Sequence, residues 1–220
     1  GFISFTTMIS VRFLMPFYLQ SVLGYSPRSV GLITIPAALA IVVVGPLAGR
    51  LSDRHGWRTF NVGGLALSAA GLFLLSGLTG SSPLWMVVAA MVIQSIGTGM
   101  FNAPNNSSVL SAVEPSRYGV VAGFLNVVRN SANVTGIALA TAIVTAVMAS
   151  HGFPPTLAAV SGSSGGVLTV FTSGLRLAYL VMGGLAVLGM ALSLVKGDQM
   201  NGGKPRSGER VEAHGRPTSA

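Results

Sequence analysis

The chain has 220 residues, of which 50% are hydrophobic and only 8% charged, with a formal net charge of +8 and no cysteine. A soluble domain carries about 25% charged residues, so this chain cannot clothe a water-facing surface, and it is too hydrophobic to be a disordered one. These figures exclude a soluble enzyme, a nucleic-acid-binding module and a disulfide-held scaffold, and leave an integral membrane protein.

Crossing the hydrocarbon core takes about 20 apolar residues, and six stretches supply them: 2–23, 30–49, 60–79, 84–104, 119–148 and 174–195. The expected fold is an all-α membrane protein of six transmembrane helices. The connections alternate in character. Residues 24–29 form a short turn with Pro27, 50–58 are basic, 80–83 form a tight polar turn, 105–117 are polar, and 149–173 are rich in Gly, Ser and Pro. Residues 196–220 are nearly devoid of apolar side chains and read as a disordered basic tail. The chain opens on Gly1 and is apolar by Phe2, without the basic start of a signal peptide. We expect a further N-terminal part to precede it.

Charge orients the spans. With the 50–58 loop in the cytoplasm, alternation puts Arg50, Arg54, Arg58, Arg117, Lys196, Lys204, Arg206, Arg210 and Arg216 on that side, against Arg28 and Arg176 on the other. The positive-inside rule then predicts a multi-pass cell-membrane protein with both ends of the chain in the cytoplasm.

The basic loop carries one pattern, Gly49-x-x-x-Asp53-Arg54-x-Gly56-x-Arg58. Gly45 and Gly49 are four apart and let another helix approach closely. Asp53 can pair with an arginine or a helix N-terminus at the membrane face, Gly56 permits a tight reversal, and Arg54 and Arg58 suit an anionic interface. The spacing resembles the loop signature of the major facilitator superfamily, which joins the second and third helices of a six-helix half. Trp57 departs from it, standing where the family often has a second basic residue. The run FYLQSVLGYSPRSVGLITIPAAL and the later GVVAGFLNVVRNSANVTGIALA are similar to the drug:proton antiporter branch. The resemblance covers residues 1–195 and implies the C-terminal half of a transporter built from two such halves.

Polar groups within spans point to function, because the bilayer penalises them. Arg12 lies in the first span and Arg129 in the fifth. On a helix of 3.6 residues per turn, Asn126, Arg129, Asn130 and Asn133 share one face, and Gln94, Thr98, Phe101 and Asn105 share another, with Asn102 at its margin. Such stripes face a neighbouring helix or a water-filled cavity. The third and sixth spans are poorer in polar residues and read as lipid-facing outer helices. No Asp or Glu lies in any span, so a proton carrier would have to sit elsewhere in the protein. Gly162-x-Ser164-Gly165 fits the serine string of rhomboid-type proteases, but it lies in a Gly/Ser loop, as does His151, and a membrane-embedded catalytic pair is not expected.

The substrate-cavity candidates are therefore Arg12, Gln94, Thr98, Phe101, Asn105, Asn126, Arg129 and Asn133, and the loop residues are Gly49, Asp53, Arg54, Gly56 and Arg58. The resemblance implies export of drugs or other amphipathic compounds by proton-coupled alternating access, with Phe101 offering an aromatic face to a lipophilic substrate, a cationic one included. A permease for another organic solute, or a non-transporting polytopic protein, are the alternatives. The expected partners are the lipid bilayer, a small-molecule substrate and an N-terminal half of the same protein. No cofactor, metal, nucleic acid or enzymatic activity is expected.

Overall fold

A computed structural model describes the backbone of residues 2–110, 113–160 and 165–201, and the side chains of these residues apart from 53, 55, 108 and 194–201. The cations Lys204, Arg206, Arg210 and Arg216 of the expected tail lie outside the described residues, as does the center of the Gly/Ser loop. Six long helices account for most of the described chain: α1 (Phe2–Phe17), α2 (Pro27–His55), α3 (Trp57–Ser76), α4 (Leu84–Leu110), α5 (Tyr118–Ser150) and α6 (Gly166–Asn201). Each is long and apolar enough to cross a membrane, α1 together with the helical turn that continues it to Val22. Among the described residues there is no strand.

Local sequence explains where these helices begin and turn. Ser26 caps α2, its hydroxyl accepting from the Ser29 N–H, and Pro27 follows at the first helical position, where its missing N–H costs nothing. Gly56 separates α2 from α3 at φ +88°, a conformation that side-chain-bearing residues rarely adopt. Pro16 removes one hydrogen bond from α1, which widens into a π-helical turn over Tyr18–Val22. The Tyr18 hydroxyl donates to the Thr79 carbonyl at 2.7 Å and ties the end of α1 to the α3–α4 turn.

The helices outrun the apolar stretches that mark them. α4 continues through Asn105 and Asn106 to Leu110, where a polar loop was expected from 105. α6 begins at Gly166 and runs to Asn201, past both expected limits of 174 and 195. Hydropathy marks only the bilayer-embedded part of a helix, whereas the backbone hydrogen bonds continue until a cap or breaker stops them.

Small residues set the packing. A Cβ placed on Gly97 of α4 would collide with the backbone of Gly64 and Ser68 of α3, and one on Gly71 of α3 would meet the Gln94 Cα at 2.7 Å. Gly136 of α5 lies equally close to the Thr6 carbonyl of α1. α2 approaches α4 where the Gly49 position faces Ala103 at 3.6 Å and Gly99 faces Gly45 at 3.4 Å, the close approach anticipated from Gly45 and Gly49. In this way α4 is held by α2 and α3, α1 by α5 and α6, and α3 meets α6, while α1 and α4 barely touch. A cleft remains between them.

α3 and α6 give no residue to this cleft, as suits outer helices, and α6 exposes Leu177, Leu180, Val187, Leu188 and Leu192, but polar side chains of both pack inward rather than toward lipid. In α3, Asn61, Ser68 and Ser76 are all buried, and Tyr179 of α6 is 1% exposed. The open helix is α2, whose most apolar stretch is 6% buried against 50% for α3. The small residues that made α3 look inert are what bring it against the α4 backbone.

Candidate functional site

The cleft between α1 and α4 is a cavity of ≈ 450 Å³ walled by four helices. From α1 come Phe5, Met8, Ile9, Arg12, Met15 and Pro16, spaced by three and four as on one helical face. α2 gives Thr34, Ala37, Ala38 and Ile41 with the same spacing. α4 gives Met91, Gln94, Ser95, Thr98 and Asn102, and α5 gives Arg129 and Asn133. The wall is mostly apolar, with polar groups at a few points, as in small-molecule sites generally.

Five of the eight cavity candidates read from the sequence line this cleft: Arg12, Gln94, Thr98, Arg129 and Asn133. Phe101, Asn105 and Asn126 do not. The α4 stripe is rotated relative to the expected one, running through Ser95 and Asn102 rather than Phe101 and Asn105. The cause is the Phe101 ring, which is 3% exposed and packs with Phe5, Met8, Leu65 and Ala132 in a small apolar cluster at one end of the cleft. Its centroid lies 5.9 Å from that of Phe5 in an edge-to-face pair at 75°, worth about 0.5–1.5 kcal/mol beyond burial. Asn126 and Asn130 point away from the bundle and are exposed.

Arg129 joins three helices. Its Nη2 donates to the Asn106 Oδ1 of α4 at 3.1 Å, and its guanidinium stands 5.1 Å from the Phe5 ring center of α1. A contact of the second kind at a partly buried site contributes about 0.5–2 kcal/mol. Asn106 was not among the candidates, because the expected span ended at 104 and only Asn105 fell on its polar stripe; the continuation of α4 puts Asn106 opposite Arg129. Arg12 is exposed to the cleft. Gln94 is 3% exposed; its Nε2 donates to the Thr98 Oγ1 at 3.1 Å, while that hydroxyl donates to the Gln94 carbonyl at 3.0 Å. This pair presents a fixed polar ledge midway along α4. Met8, Met15, Thr34 and Ser95 were also missed, since nothing in a single helix shows which of its apolar faces will border a void.

In the loop sequence, Gly49 lies in the α2–α4 contact and Gly56 forms the break before α3. The Ser52 hydroxyl donates to the Gly49 carbonyl at 2.7 Å. Arg54 is exposed and Arg58 half-buried. The Asp53 side chain lies outside the described residues. Among the described residues no group of His, Asp and Glu is placed to hold a metal ion.

Comparison with known proteins agrees with this architecture. The riboflavin transporter RibZ of Clostridioides difficile is 33% identical over 138 residues, 63% of this chain and 30% of that protein. The lincomycin resistance protein LmrB of Listeria monocytogenes is 30% identical over 146 residues, 66% of this chain and 31% of its own length. The puromycin resistance protein pur8 of Streptomyces alboniger is 32% identical over 149 residues, 64% and 30% respectively. The chain thus spans about 30% of the length of these curated relatives. The family model of the Major Facilitator Superfamily matches residues 1–219. With six membrane-length helices packed through glycines around a mostly apolar cleft, this chain belongs to the major facilitator superfamily of membrane transporters.

Proposed function

We propose that this chain is the C-terminal six-helix half of an exporter of drugs or other amphipathic compounds, working by proton-coupled alternating access. The cleft between α1 and α4 is its share of the substrate cavity. The observation that carries this reading is the cleft itself: a mostly apolar wall interrupted by Arg12, Arg129, Gln94 and Asn133. Polar side chains at membrane depth are kept where they face a pathway. Drug-resistance names among the relatives support export.

In this reading an N-terminal half covers the open face of α2 and α5, and the two halves rock about the cleft. Arg54 and Arg58 lie on the cytoplasmic side, and Asp53 latches the helices there. No acid lies in any of the six spans, so the proton carrier belongs to the other half. The riboflavin transporter among the relatives favours one alternative, a permease for another organic solute.

The test is efflux of lipophilic fluorescent compounds from cells expressing the full-length protein. Efflux that stops when a protonophore collapses the proton gradient, and slows at least about tenfold with Asp53→Ala, is the expected result. Efflux indifferent to the gradient would remove proton coupling, and an unaltered Asp53→Ala rate would remove the latch.

A further inference from the structure

The chemistry of the cleft narrows the substrate class, an inference that rests on the cleft being a substrate site. Two permanent cations, Arg12 and Arg129, line it, and no carboxylate does. An arginine stays protonated under all physiological conditions, so this wall carries fixed positive charge.

The aromatic groups that could have attracted a cationic substrate are already engaged. The Phe5 ring has the Arg129 guanidinium 5.1 Å from its center, and the Phe101 ring is buried edge-to-face against Phe5. A lipophilic cation entering the cleft would therefore meet like charge and find no free aromatic face on this cluster. Gln94 and Thr98 each have a donor engaged within α4, and the other neutral polar groups of the lining, Thr34, Ser95, Asn102 and Asn133, carry no charge to oppose the two guanidiniums.

We propose that the compounds held in this cleft are amphipathic organic anions, with the acidic group at Arg12 and Arg129 and the apolar body against Met8, Met15 and Ile41. Asn106 is part of the device. It holds one Nη2 of Arg129 at 3.1 Å without neutralising it, so the cation is positioned and its charge kept. An Asp in its place would cancel that charge.

The experiment uses two fluorescent probes of one xanthene skeleton. Fluorescein methyl ester is an anion at mildly alkaline pH, and rhodamine methyl ester is a cation. Binding of each to the purified full-length transporter in nanodiscs is read by anisotropy. The expected result is at least about tenfold tighter binding of the anion, a preference that falls about tenfold in Arg129→Gln and in Arg12→Gln. Arg129→Lys retains most of it, and Asn106→Asp lowers it while leaving the protein monodisperse. Equal binding of the two probes, or tighter binding of the cation, overturns the anion inference and leaves the cleft as a substrate site. A preference unchanged in both glutamine variants also overturns it, since the selectivity then lies elsewhere. Binding of neither probe removes both the inference and the cleft reading on which it rests.

Discussion

At Arg129 three helices meet on one guanidinium, which bonds Asn106 of α4 and stacks near Phe5 of α1 while its backbone belongs to α5. Removing its partner leaves part of a charge-assisted interaction unmade. Asn106→Ala is expected to lower the stability of the full-length protein by about 1–3 kcal/mol, read as an earlier thermal transition in detergent. Glycine positions give a sharper contrast. Gly97→Ala pushes its new methyl into the backbone of Gly64 and Ser68, and overpacking of that kind costs about 1–3 kcal/mol. At Gly184 of α6 nothing stands within 4 Å of the added carbon. Gly184→Ala is therefore neutral or stabilising by about 0.5–1 kcal/mol, and the same melting experiment compares the two. An earlier transition for Gly184→Ala than for Gly97→Ala would contradict the packing described.

Elements pair through these small residues, and the α2–α4 pair can be tested directly because the chain has no cysteine of its own. The Gly49 position stands 3.6 Å from the Ala103 Cβ, within the range of about 3.5–4.5 Å between the Cβ atoms of a disulfide. In the double variant Gly49→Cys, Ala103→Cys, mild oxidation is expected to link α2 to α4, seen by mass spectrometry after proteolysis. The same oxidant should leave Gly31→Cys, Ala103→Cys unlinked, since Gly31 has no neighbour within 4 Å. The Gly45/Gly49 spacing was legible in the sequence as a close-contact face; its partner was not, because a small-residue face is equally suited to any of the other helices.

For the whole molecule, the uncovered surface is the informative one. α2 exposes Leu39, Val42, Val43 and Leu47, and α5 exposes Val120, Phe124, Val127 and Val134. Lipid or the second half proposed above suits such surface; water does not. The orientation proposed above makes a separate prediction. In intact cells a membrane-impermeant maleimide should label Ser81→Cys in the α3–α4 turn, and should reach Ser116→Cys between α4 and α5 only after permeabilisation. Labelling in the reverse order would invert the topology.

The sequence by itself determined six spans, the glycine faces of α2 and the presence of polar groups at membrane depth. All three follow from composition and helical period, which are local properties. It also carried the superfamily resemblance that the family comparison bears out. Only the tertiary structure decided that Phe101 plugs the end of the cleft while Asn102 faces it, that Asn106 is helical and holds Arg129, and that α2 rather than α3 is the open helix. These depend on the rotation of each helix about its axis. That rotation is set by which glycine accepts which neighbouring backbone, as at Gly97 against Gly64 and Gly136 against Thr6, and a contact between residues distant in sequence leaves no mark in the pattern of either helix alone.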